Sequence, residues 1–242
     1  MRCLGSYRAR GGPLCLVLGI ALGSVGCHEK SVVCPAVPYP GVTSEQALIK
    51  NLESVYRKRD YEKFTTLFSN PTLGQPAYLF LLSDPAPGGE TSWGYAEEMR
   101  IHRRMFEPQN VLPGETPVPP GNWLVSIDIS LTLQTDFVER TDLYLSPSNP
   151  QGLDPARWKA TEATYGTYVL FQLAGTTDYQ VDGRANFVVI QDKTRANGDA
   201  WKWLIYRWED VGKGRLRPAG LLPAVSAGVE QSSWTAVKSL FR

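Results

Sequence analysis

Between Asn122 and Gln134 the chain reads "NWLVSIDISLTLQ", with apolar residues on every second position at Trp123, Val125, Ile127, Ile129, Leu131 and Leu133. A period of two places alternate side chains on opposite faces, so this segment predicts a long strand with one face on a core. Four later segments, "FVERTDLYL", "TYVLFQLA", "GRANFVVIQD" and "AWKWLIYRWEDV", continue as strands, and Asn197-Gly198 between the last two is a hairpin-turn signal. Residues 146–163, with three prolines and Trp158, read as a loop insertion between strands.

Upstream the period is helical. Thr43 and Gln46 form a capping box ahead of Leu48, Leu52, Val55 and Tyr56, which recur on one helix face. Asp60 then caps a second helix carrying Tyr61, Phe64, Leu67 and Phe68, and Ser92 is placed to cap a third carrying Tyr95, Met99, His102 and Phe106. Between the second and third lies "YLFLL" at 78–82, a short strand. A Pro-rich loop from Glu107 to Gly121 ends the third helix, and "TAVKSLF" near residue 240 predicts a last helix with Trp234, Val237, Leu240 and Phe241 on a face. Helices early and antiparallel strands late give an α+β class: a curved antiparallel sheet wrapped around about three N-terminal helices.

The N-terminal segment bears on address. Arg2, Arg8 and Arg10 precede an uncharged run from Leu14 to Val25, which suits a secretory signal and is shorter than the ~20 apolar residues a membrane span needs. Gly23, Ser24, Val25 and Gly26 lead directly to Cys27, which resembles the lipobox of bacterial lipoproteins, with Ser24 where that family most often has leucine. The resemblance implies cleavage before Cys27 and acylation of its thiol; the other reading is plain secretion with a Cys27–Cys34 disulfide. The expected organisation is a signal at 1–26, a lipid-anchored tether at 27–42, an α+β domain at 43–211 and a C-terminal extension at 212–242.

The four cysteines are Cys3, Cys15, Cys27 and Cys34, so neither a disulfide framework nor a cysteine-based metal site is available to the domain. The formal charge of +1 becomes −2 once the three signal arginines are removed, which argues against a nucleic-acid partner. G-x-S-x-G, glycine-rich phosphate-loop and H-E-x-x-H motifs are absent from the sequence, and no cofactor or metal is expected.

The order helix, helix, short strand, helix, long antiparallel strands resembles the cone fold of the nuclear transport factor two, ketosteroid isomerase and scytalone dehydratase superfamily. The "YRKRDYEKF" corner, the closing "WLIYRWEDV" and the "SWG" with Glu97 and Glu98 carry the likeness, which covers about residues 43–211. It implies a cystatin-like cone with an interior pocket, which in the superfamily's enzymes holds acid and base residues. The catalytic candidates are His102, one turn after Glu98, and Asp210 at the end of the last strand; Asp128 falls on the polar parity of its strand. The aromatic set Trp93, Tyr165, Tyr168, Tyr206 and Trp208 is expected to line a ligand pocket, with Tyr206 and Trp208 on one strand face. The functional expectation is a non-enzymatic lipoprotein of the cell envelope that faces the periplasm, with the outer membrane favoured. It would bind a small apolar ligand or an envelope protein, or pair as a homodimer through the open sheet face. The alternative is an isomerase or dehydratase using proton transfer in the cone.

Overall fold

Helix α1 (Glu45–Lys58) starts where Ser44 accepts a hydrogen bond from the Ala47 amide at 3.2 Å, one residue later than the Thr43 box would place it. It buries Leu48, Ile49, Leu52, Val55 and Tyr56, and stops at Arg59, a left-handed C-cap with φ 52°. Asp60 turns the chain into α2 (Tyr61–Thr65), accepting from the Lys63 amide at 2.9 Å as a short N-capping residue does. The structure is a computed structural model of the full chain and describes Tyr39, 41–83, Pro85, 89–175, 177–211 and 229–242. The expected signal, Cys27, Cys34 and nearly all of the expected tether lie outside the described residues.

The short strand expected near residue 80 is β1 (Leu79–Leu81), and it has a partner that the sequence reading gave to a helix cap. Residues Ser92–Gly94 form β2, antiparallel to β1, so Gly94 rather than Ser92 caps α3 (Tyr95–Phe106). The remaining strands are β3 (Leu124–Leu133), β4 (Val138–Glu139), β5 (Trp158–Leu173), β6 (Asp178–Asp192), β7 (Trp203–Asp210) and β8 (Val229–Ser232), and α4 (Trp234–Ser239) follows.

The sheet order is β2-β1-β7-β6-β5-β3, with β4 paired to β5 and β8 paired to β6. The long central pairings are antiparallel, as expected, whereas β1 joins β7 and β8 joins β6 in parallel, which makes the curved sheet mixed. Only two residues of the predicted "FVERTDLYL" strand pair with β5, and residues 141–143 form a helical turn instead. Asn197-Gly198 does turn, with Gly198 at φ 90°, but inside a connection spanning 193–202 rather than a two-residue hairpin.

The concave face of the sheet packs on the helices and forms the main core, and the other face has a smaller one. That second cluster joins Leu153, Trp158, Ala160, Val188, Ile190 and Leu204, so the insertion before β5 folds down on the outer face. Gly152 permits the close approach: a Cβ there would lie 2.5 Å from the Tyr144 carbonyl carbon. Trp158, read as part of the insertion, is the first residue of β5.

Strand β3 ends the sheet, and side chains from α1 and its C-cap bond to its backbone edge. Glu53 accepts from the Leu131 amide at 2.6 Å, Arg57 donates to the Ile129 carbonyl, and Arg59 donates to the Leu124 carbonyl at 2.6 Å. These bonds cover part of an edge that would otherwise be open to pairing with another strand.

The C-terminal segment departs most from expectation. Residues 229–242, read as an extension beyond the cone, complete its core: Trp234, Val237 and Phe241 are fully buried against the concave face. Arg242 then ties this segment to α3 through Glu97 at 2.8 Å.

Candidate functional site

Four elements bring polar groups together inside the cone. On α3, Glu98 and His102 stand one turn apart on the inward face; α1 contributes Tyr56, β2 contributes Trp93 and α4 contributes Lys238. Glu98, His102, Tyr56 and Lys238 are all 0% exposed. Buried charges of this kind are tolerated when paired and hydrogen-bonded.

The Glu98 carboxylate is the hub. One oxygen accepts from the Trp93 indole N–H at 2.6 Å, and the other accepts from the Lys238 ammonium at 2.7 Å and lies 3.5 Å from His102 Nδ1. His102 Nδ1 donates to the Glu98 backbone carbonyl at 2.9 Å, which leaves Nε2 to accept from the Tyr56 hydroxyl at 2.5 Å. Burial favours the neutral ring, which with these partners is the Nδ1–H tautomer, and the ring stacks on Phe64 at 4.0 Å.

The electrostatics agree with that assignment. Burial lowers the His102 pKa to about 4, a shift that Glu98 opposes and Lys238 assists. Burial alone would raise the Glu98 carboxyl; the Lys238 ammonium and the hydrogen bonds from Lys238 and Trp93 more than offset it and hold the group below its ordinary value. Burial lowers Lys238, with Glu98 pulling the other way, and raises the Tyr56 phenol.

The Lys238 ammonium also lies among aromatic rings. It is 3.6 Å from the centroid of Phe80, 4.2 Å from that of Trp208, 5.7 Å from that of Trp234 and 5.9 Å from that of Trp93. Distances under about 6 Å are within cation–π range. Around this cluster the Tyr78 hydroxyl and the Trp208 and Trp234 indole N–H groups are buried without a hydrogen-bond partner.

The expected residues do not all converge. His102 sits in the network, and Glu98 is its carboxylate neighbour. Asp210 is elsewhere in the same interior: it accepts from Ser83 Oγ at 3.1 Å and from the first turn of α4 at Thr235, a helix-capping role, while remaining in electrostatic reach of Lys238. Asp128 is exposed on the outer side of β3.

Of the five aromatics, Trp93, Tyr165 and Trp208 belong to the main core, but Tyr206 packs with the outer cluster and Tyr168 alternates outward on β5. Tyr206 and Trp208 therefore lie on opposite faces. The cause is a β-bulge: Val188 pairs with Arg207 while Val189 pairs with Ile205, so Tyr206 is the extra residue and the alternation inverts after it. Inward residues of β7 are Trp203 and Ile205, then Trp208 and Asp210.

Tyr56 and Lys238 were missed by sequence reasoning. Lys238 had a signal, since it falls four residues after Trp234 and three before Phe241, on the face that those residues bury. An apolar-only reading of that face passes over it.

A separate groove of about 240 Å³ opens between α1 and strands β3 and β5, lined by Gln46, Ile49, Lys50, Leu131, Leu133 and Tyr165. Burial, with Glu53 and Glu45 nearby, raises the Tyr165 phenol to about 12, so the groove presents a neutral hydroxyl. Among the described residues no three His, Cys, Asp or Glu side chains come together to hold a metal, and no helix is long and apolar enough to cross a membrane.

No protein-family model matches the chain, and comparison with curated proteins gives no match either. Solved structures do resemble it. A conserved protein from Planctomyces limnophilus is 13% identical with a TM-score of 0.41, over 68% of this chain and 90% of that one. A nuclear transport factor 2-like superfamily protein from Salmonella enterica is 14% identical with a TM-score of 0.35, over 72% and 89% of the two chains. A protein of the same family from Streptomyces avermitilis is 12% identical with a TM-score of 0.37, over 68% and 89%.

Proposed function

We propose that this chain is an exported lipoprotein, acylated at Cys27 and tethered to a membrane of the cell envelope, whose cone domain binds rather than catalyses. The observation that carries the binding reading is the closure of the interior: His102, Glu98, Tyr56 and Lys238 have no exposed surface. A general base must come within about 3.2 Å of a substrate proton. In this arrangement His102 Nε2 is already occupied by the Tyr56 hydroxyl, and Trp234 and Val237 of α4 pack into the same core.

Ligand contact then falls to the open groove beside Tyr165. Ile49, Leu131 and Leu133 give it an apolar floor, and Gln46 and Lys50 supply polar groups at its edge, which suits a small apolar ligand or an apolar segment of an envelope protein. The groove adjoins the first turns of α1, just after the tether. Fully extended, residues 28–42 reach at most about 50 Å, which sets how far from the bilayer the domain can work. The residue after the cysteine is His28, not the aspartate that retains some lipoproteins in the inner membrane, and this favours the outer membrane where the cell has one. Two or three acyl chains, each buried methylene contributing ~0.8 kcal/mol, give a stable anchor where one does not.

The test is the mass and partition of the mature protein from membranes, beside a Cys27→Ser variant. The expected result is a mass above that of residues 27–242 by the acyl chains, and membrane association that the variant loses. An unmodified mass with a Cys27–Cys34 disulfide and a protein released in the soluble fraction refutes the anchored reading.

A further inference from the structure

Most of the groups that surround the Lys238 ammonium come from outside α4. Phe80 lies on β1, Trp93 on β2, Trp208 on β7 and Glu98 on α3, while α4 itself adds Trp234. Glu98 is held by the Trp93 indole independently of the lysine, so carboxylate and rings form a preorganised box. We propose that the concave face of the sheet carries a recognition site for a primary alkylammonium group, and that α4 fills this site from within by presenting Lys238 as its ligand.

Chemistry selects the ligand class. A methionine or leucine at position 238 would pack among the rings with no charge to desolvate, yet the chain places an ammonium there at 0% exposure. The box compensates it in the two ways open to a cation, ring faces and a carboxylate. The 2.7 Å bond to Glu98 requires a hydrogen-bond donor, so a quaternary ammonium does not satisfy the site. A neutral alcohol satisfies the hydrogen bond but leaves the Glu98 charge uncompensated. The site thus favours a primary ammonium on a short unbranched apolar stem, which is the shape of the lysine side chain. This inference stands apart from the anchored reading, since nothing in it depends on Cys27.

The test removes the resident ligand and supplies it from solution. Lys238→Ala deletes the equivalent of n-propylammonium, so the full-length variant is melted with n-propylammonium, 1-propanol or tetramethylammonium chloride at matched concentration and ionic strength. The expected result is a rise in melting temperature of about 3 °C with n-propylammonium at roughly ten times its Kd, and none with the other two. Wild-type protein, its site already filled, should show no such rise, and Lys238→Ala combined with Glu98→Gln should lose the response. If Lys238→Ala does not fold unaided, the readout is the yield of refolded protein: recovery with the amine alone supports the site. Equal effects of amine, alcohol and tetramethylammonium, or no effect of any on melting or refolding, overturn it.

Discussion

His102 shows how one side chain ties the interior to solution conditions. Its pKa falls from 6.5 to about 4 on folding, chiefly by burial, with Tyr56 from α1, Glu98 from its own helix and Lys238 from α4 facing the ring. A depressed histidine pKa means that between these values the unfolded chain binds a proton the folded chain refuses. Stability contributed by neutral His102 is therefore complete above about pH 6.5 and declines as pH falls toward 4, by up to about 3 kcal/mol. Glu98, also lowered, adds a loss of the same sign below its ordinary 4.5. Urea midpoints measured from pH 7 to pH 4 should fall steeply for wild type and less steeply for His102→Gln between pH 6.5 and 4.5; parallel curves would remove His102 from the account. This residue and Glu98 were legible in the sequence as a pair one turn apart. Their partners Tyr56 and Lys238 were not, because both are far away in the chain and only the tertiary fold brings them near.

At the scale of elements, α1 does more than bury an apolar face. Glu53 and Arg57 lie one turn apart, and with Arg59 they run along the β3 edge as substitutes for a neighbouring strand. Replacing Glu53 by Ala strands the buried Leu131 amide, at a cost of about 1–3 kcal/mol. The expected outcome is a lower urea midpoint together with concentration-dependent association in light scattering, as the freed edge finds other chains. A lower midpoint without association would assign the carboxylate to stability alone.

The helices and long strands were readable because their periods are regular over many residues. What failed were the places where a period breaks. The bulge at Tyr206 inverts the faces of β7, so strict alternation puts Tyr206 beside Trp208 although Trp208 is in the core and Tyr206 is outside it. The three-residue β2 strand is too short to show any period, and Ser92 read as a cap for that reason.

For the whole molecule, the boundary that matters lies after Val211. Trp234, Val237 and Phe241 are fully buried, and each apolar side chain of this size contributes about 1.5–3 kcal/mol when buried. Their sum is comparable with the 5–15 kcal/mol that stabilises an ordinary domain. A chain ending at Val211 keeps nearly all of the sheet but should lose cooperative melting and gain dye-binding apolar surface; a sharp thermal transition in that chain would show the sheet and first helices to be self-sufficient.

The placement of α4 also has a consequence in time. A polypeptide is made and delivered from its N-terminus, and α4 emerges after every strand it covers. Until it does, the concave face with Phe80, Trp93 and Trp208 stays open and the Glu98 carboxylate lacks its counter-charge. Completion of the interior thus waits for α4, and a chain that has yet to place this helix exposes apolar surface of the kind that makes partly folded chains prone to aggregation.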